Sequence, residues 1–453
     1  MGKNDVANRS VGARPDRHDY AFALAAIGTF ALLLALGAGM TFFSDEWAFI
    51  ITRSLGDPVS WLPPHNEHWS TVPVVLYRLL VETVGLRTYV PYLAVLAALH
   101  ILVASLVYTH VRRASGRWPA LAVGVIVLLL GSGFENLFWA FQYGFVISVA
   151  AGLGAMLAFE EPLSRRKVAA GTALVLLSLA SSGMGLVFAA VVAIELALDP
   201  RRRILLAALN VPAAAYAVWY LTFGRFGLTS QRDPLTLTAM RDVPGFVIAG
   251  LADAGGAVAG VGSTLGLIVI AGLGLVAVQR WRSGAVPPRF VACALGIVVM
   301  YALIGSVRGH LFQGSDLYTR YTYVAGLLLF VGASSLVGQV VLPAYGTART
   351  VALAGAGSLL AVSLVWNLQL MLAGKSLFLE RAAWMRALLI GSTEPTRPPF
   401  VDPQSLVASA IRAYGSPMTD VVVPWAVKSP PATLIEEARR ELASGETSAP
   451  IPH

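Results

Sequence analysis

Cysteine is nearly absent. The single Cys293 excludes an intramolecular disulfide, and its place inside an apolar run leaves the redox compartment open. Charge is scarce too: Asp, Glu, Lys and Arg supply 13% of the 453 residues, while 56% are hydrophobic. Soluble domains carry about 25% charged residues, so a soluble globule is excluded. Internal repeats and low-complexity blocks are also missing, which argues against a solenoid or a disordered chain. What remains is an all-α polytopic membrane protein.

The formal charge is +8. Spread over a soluble surface, it would suit nucleic acid. Here Lys and Arg fall in short breaks between apolar runs instead, at Lys3/Arg9/Arg14/Arg17, Arg112/Arg113/Arg117, Arg165/Arg166/Lys167, Arg201/Arg202/Arg203, Arg280/Arg282/Arg289 and Arg349. These groups occupy alternate breaks and hold about half of the basic residues, as the positive-inside rule requires of cytoplasmic loops. They report topology, with residues 1–19 in the cytoplasm and no nucleic-acid partner.

The apolar runs predict a transmembrane helix bundle of about eleven spans, each needing roughly 20 residues for a straight crossing. They lie near 20–43, 89–110, 118–132, 144–159, 168–182, 185–198, 204–223, 262–279, 290–307, 321–342 and 350–372. The first is too long for a cleaved signal peptide and is expected to stay as an anchor. Residues 244–261, interrupted by Asp253 and rich in Gly and Ala, are expected to form an outer-face interfacial or re-entrant segment. An odd count puts the C-terminus outside. The spanning unit then covers 20–372, followed by an outer-face tail over 373–453 with amphipathic patterns near 377–389, 404–414 and 433–442.

With so few acids, their positions carry weight. Asp45 and Glu46 follow the first run directly, at the outer water interface, where a carboxylate can act as a base on a lipid-linked substrate. They open a long first outer loop, residues 44–87, in which Trp, Pro and charged residues are mixed as in interfacial segments. Its stretch 73–84 predicts a surface helix with Arg78 and Glu82 on one face.

Three polar groups stand at this face. The first is His65, Glu67 and His68, suited to a phosphate, a sugar hydroxyl or a divalent metal, although the spacing is not that of a zinc-binding helix. Glu135, Asn136 and Gln142 form the second, set among aromatic rings that can stack on a sugar or anchor a helix. The third runs from Arg308 to Tyr323 and includes Tyr318, Arg320 and Tyr321. Outer-face arginines oppose the topological bias, and their forked guanidinium suits phosphate.

In its inside N-terminus, acidic pair after the first span, long first outer loop and outer-face Arg320-Tyr321 opening a late span, the chain resembles the C-type (GT-C) integral-membrane glycosyltransferases. That superfamily includes the protein O-mannosyltransferases and the lipid A aminoarabinose transferases. The resemblance implies a polyprenyl-phosphate-linked sugar donor, Asp45 as catalytic base with Glu46 as second candidate, and Arg320 on the donor phosphate. It implies inversion at the anomeric carbon and no obligatory metal cofactor, with the His65/Glu67/His68 group keeping a divalent metal open. High Ala, Gly, Val and Arg usage fits a GC-rich bacterium, hence a plasma-membrane enzyme acting on an envelope glycan, lipid or protein. A transporter or flippase of lipid-linked glycans is the rival class; it would place polar residues inside the spans, where Glu195 and Asn210 are among the few candidates.

Overall fold

The computed structural model describes residues 15–227, 237–309, 319–340, 346–391 and 432–444. Sixteen α-helices form there and no β-strand. Among the described residues, nine helices, or helical stretches, are long and apolar enough to cross a membrane.

The first helix, α1 (Arg17–Leu36), starts at an Asp16 cap whose carboxylate accepts from the backbone of His18 and Asp19. It ends earlier than the apolar run predicts. Gly37 caps it, Gly39 turns at φ +90, and Met40 and Phe42 are buried in the protein rather than in lipid. The long loop after α1 carries α2 (Glu46–Ile51) and α3 (Thr71–Val84). α3 is the predicted surface helix: Arg78 pairs with Glu82 and also donates to the Ile50 carbonyl at 2.6 Å, tying α3 to α2.

The remaining helices are α4 (Val90–Ser115), α5 (Arg117–Leu128), the short α6 (Glu135–Phe138), α7 (Tyr143–Ala158), α8 (Arg165–Leu179), α9 (Met184–Leu198) and α10 (Asn210–Thr222). They are followed by α11 (Leu237–Ala259), α12 (Ser263–Arg282), α13 (Pro288–Arg308), α14 (Thr319–Val337), α15 (Thr347–Gly391) and α16 (Ala432–Ser444). α7 and α14 are the most buried of the long apolar helices. α12 turns Leu265, Ile268, Leu275 and Trp281 outward, an apolar surface that only a bilayer satisfies.

One end of the bundle is an ionic seam. Arg112 pairs with Asp16 and Asp19, Arg113 with Glu160, Arg202 with Asp199 and Glu195, and Arg289 with Glu160 and Glu195. Arg280 joins this end through the Val337 carbonyl at 3.1 Å. Three of the predicted basic breaks therefore meet at one end, and Glu195 is a structural partner of two arginines. Asp45 lies at the other end.

Residues 244–259 do not turn back as a re-entrant loop; they belong to continuous α11, whose small residues are contact points: a Cβ on Gly266 of α12 would stand 2.0 Å from the Ala252 carbonyl oxygen. Small residues let backbones approach in lipid, where no hydrophobic force drives helices together. Asp253 is met by the Ser263 hydroxyl.

α15 also departs from expectation. Its 45 residues run through the compositional break at 372, and at 1.5 Å per residue it is roughly 68 Å long, over twice a ~30 Å hydrocarbon core. Asn367 bonds to the Ser132 N–H, and farther along Arg386 donates to the Gly39 carbonyl at 2.7 Å, so the helix extends over the Asp45 end. The pattern near 433–442 is α16, packed on α15 through Leu434, Ile435 and Ala438. The pattern near 404–414 lies outside the described residues.

Candidate active site

Asp45 and Glu46 are neighbours with opposite surroundings. The chain approaches them through Ser44 at φ +50, a left-handed conformation that costs an L-residue roughly 1–2 kcal/mol. Asp45 is the residue before α2, and its side chain makes no cap bond. It remains partly exposed, with Oδ1 3.6 Å from Nε2 of His65.

Glu46 is fully buried. Oε1 accepts from the phenols of Tyr77 at 2.9 Å and Tyr89 at 2.7 Å, and Oε2 from the Phe43 N–H at 2.6 Å. Burial pushes its carboxyl up to about 8; the bonds from Tyr89, Phe43 and Tyr77 oppose that rise, and the neighbouring Asp45 charge adds to it. A proton therefore stays on Glu46 near neutral pH. Tyr89 accepts the Ala140 N–H at 2.8 Å, linking Glu46 to the turn before α7.

The first predicted polar group is a tight turn. His65 and His68 exchange N–H···O=C bonds of 3.1 and 3.0 Å, with Asn66 at φ +53 between them, a conformation Asn tolerates well. The turn sends its rings apart. His65 faces Asp45 between Phe49 and Phe141, each with its ring centre 5.1 Å away, whereas His68 packs on Gly183 and lies 3.8 Å from Glu67. Among the described residues, no three His, Cys, Asp or Glu side chains converge in a set able to hold a metal ion.

The second and third groups come together. Glu135 Oε2 accepts from the Thr319 hydroxyl and the Arg320 N–H, both at 3.1 Å, and Asn136 Nδ2 donates to the Arg320 carbonyl at 3.2 Å. A carboxylate at the first turn of α14 complements its free N–H groups and positive dipole end. The Arg320 guanidinium lies 5.5 Å from the ring centre of Tyr321, which is buried. Gln142 is completely buried, and neither its amide oxygen nor its nitrogen has a partner among the described residues. Tyr318 lies outside the described residues. Arg308 closes α13, and its side chain is likewise outside them.

Sequence inspection missed two contributors. Arg381 of α15 sets its guanidinium 5.1 Å from the ring centre of Phe43 and 5.2 Å from that of Phe378, beside the segment leading to Asp45. The tyrosine pair on Glu46 was missed too. The signal for Arg381 was the amphipathic stretch 377–389, discounted because composition placed it in the tail. Nothing local in the sequence connects Tyr77 or Tyr89 with Glu46.

No protein-family model and no curated protein matches the chain. Among solved structures it is similar to ArnT from Cupriavidus metallidurans bound to undecaprenyl phosphate, with a TM-score of 0.50 and 12% identity, over 94% of this chain and 88% of that one. At that identity the likeness shows the fold alone: this chain shares the polytopic helical architecture of that protein.

Proposed function

We propose that this chain is a membrane glycosyltransferase that moves a sugar from a polyprenyl-phosphate-linked donor to an envelope glycan, lipid or protein at the outer face of a bacterial plasma membrane. One observation carries the assignment: a GT-C fold places a partly exposed carboxylate, Asp45, against an imidazole at the mouth of the bundle. The structural neighbour was solved with undecaprenyl phosphate, which supports a polyprenyl-linked donor.

In this mechanism Asp45 takes the proton of an acceptor hydroxyl as its oxygen attacks the anomeric carbon. The bond from that carbon to the donor phosphate breaks, and polyprenyl phosphate leaves with the electron pair. A single displacement inverts the anomeric centre. Arg320 and Arg381 supply positive charge to the phosphate as it departs, where forked donors act most strongly in a water-poor site. The unpaired amide of Gln142 suits a sugar hydroxyl, and His65 orients Asp45. Glu46 holds the loop: with its carboxyl occupied by three donors and enclosed in protein, it positions Asp45 rather than taking the proton.

The same account sets topology. The ionic seam faces the cytoplasm. α11 begins beyond the outer end of α10, passes Gly305 and Tyr301 near the end of α13, and finishes where Asn367 reaches both the Ala257 carbonyl and the Ser132 N–H. These contacts support a helix that lies along the outer end of the bundle without crossing it, giving eleven crossings and an outer C-terminus. The test of function is incubation of the purified chain with a panel of labelled polyprenyl-phosphate sugars and envelope acceptors. Transfer from one of them, abolished in Asp45→Asn, is the expected result.

A further inference from the structure

We propose that a cleft between the first outer loop and the end of α10 binds a neutral saccharide of the acceptor; naming that ligand an acceptor rests on the glycosyltransferase assignment above. The cleft holds about 460 Å³ and is lined by Pro63, Pro64, Asn66, Phe223, Phe226 and Gly227. Small-molecule sites usually fall within ~300–1,000 Å³ and combine apolar walls with a few placed polar groups.

Its walls are fixed before any ligand arrives. Trp219 donates from Nε1 to the Leu62 carbonyl at 2.8 Å, just ahead of the two prolines, whose φ angles are set by their rings. Arg53 grips the carbonyls of Ser60 at 2.6 Å and Pro64 at 3.2 Å. Trp69 and Trp219 stack at 5.2 Å with planes 6° apart, joining the loop to α10. At Gly227 a Cβ would stand 2.3 Å from the Asn66 carbonyl oxygen, so only glycine lets the two segments close to this width.

The lining selects the ligand class. Among the described residues it offers phenyl and pyrrolidine faces, one carboxamide and no charged side chain. Arg225 stacks on the Phe226 ring at 4.6 Å without lining the cleft. A phosphate or carboxylate would find no cation among the described residues of these walls, and an acyl chain would bury the Asn66 amide without a partner. A neutral sugar matches both features, with its C–H face on the rings and its hydroxyls on the amide.

Position ties the cleft to the chemistry. Asn66 belongs to the tight turn whose preceding residue, His65, stands 3.6 Å from Asp45. The cleft's carboxamide thus stands next in the chain to the imidazole that faces the base. The α10 side carries neither of the arginines assigned to the donor phosphate, so the two substrates approach Asp45 by different walls.

The test is saturation-transfer NMR on the full chain in nanodiscs, without donor, using methyl glycosides and neutral di- and trisaccharides with a glucuronide for comparison. Neutral saccharides should bind with a Kd on the order of 1–10 mM, Phe223→Ala and Phe226→Ala should each weaken binding about tenfold, and Phe223→Tyr should retain it. Absence of neutral-saccharide binding up to about 100 mM, indifference to both alanine changes, or preference for the glucuronide overturns the proposal. Cleft-dependent binding without any transfer leaves the cleft standing and removes the glycosyltransferase assignment. Transfer whose acceptor KM ignores Phe223 and Phe226 does the reverse.

Discussion

Tyr89 donates a 2.7 Å hydrogen bond to Glu46 across 43 residues of chain, and the same phenol oxygen accepts the Ala140 N–H at 2.8 Å. Three segments at this end of the bundle are thereby pinned around one buried carboxyl, and the residue before it is left facing the site. Asp45 gains a defined place because Glu46 gives up its own exposure.

Loss of this pin should be felt as misplacement. Tyr89→Phe removes two bonds at once and leaves a buried donor and carboxyl short of partners, which costs about 1–3 kcal/mol each. Turnover should fall roughly tenfold or more with donor affinity nearly kept. The check is a steady-state comparison with wild type in nanodiscs; equal kcat values would remove the positioning role.

Glu46 also predicts a pH dependence. Its carboxyl lies near 4.5 when exposed and at about 8 in the folded chain, so the folded state binds the proton more tightly. That stabilisation is complete below the lower value, shrinks as pH rises through this window and is gone above about 8, amounting to a few kcal/mol at most. Thermal unfolding scans from pH 5 to 9 should show a falling Tm that Glu46→Gln flattens. Parallel slopes in the two proteins would exclude Glu46 as the source.

For the donor, Arg320→Ala and Arg381→Ala should each weaken binding of a polyprenyl-phosphate sugar by about tenfold or more. Lysine should recover only part, since an ammonium keeps the charge and loses the fork. Because the phosphate gains charge as it leaves, single-turnover rates should fall along with affinity. An unchanged Kd and rate in both alanine variants would contradict the phosphate role.

Topology is testable in a Cys293→Ser background. Cysteines at Asp57, Phe226 and Glu380 should react with an impermeant thiol reagent from outside, and cysteines at Arg165 and Gly284 only after the membrane is opened. Protection at Glu380 alone would make the number of crossings even and turn attention to α11.

Much of the architecture could be read from the sequence because hydropathy and loop charge act locally. Apolar runs mark helices, and three of the basic breaks meet at one end of the bundle. The failures have a common cause in packing. The first run contains Met40 and Phe42, which are apolar because protein buries them after the helix has ended at Gly37. Asp253 and a run of Gly and Ala make residues 244–261 a poor spanning helix by composition, yet the glycines are where helices touch.

The site followed the same division. Asp45 and Glu46 stand out as acids at an interface, but only burial shows which one faces the mouth. Glu135 and Arg320 were each visible, while the bond between them spans 185 residues and has no local trace. Arg381 was hidden because α15 continues past the point where composition changes.

The most direct measurement is single-turnover transfer of a labelled sugar from its polyprenyl-phosphate donor, comparing wild type with Asp45→Asn. The substitution keeps size and hydrogen bonding and removes the base, so the rate should drop by about 100-fold or more while donor binding and thermal stability persist. A wild-type rate in Asp45→Asn, with the loss appearing instead in Glu46→Gln, would contradict the account at its centre.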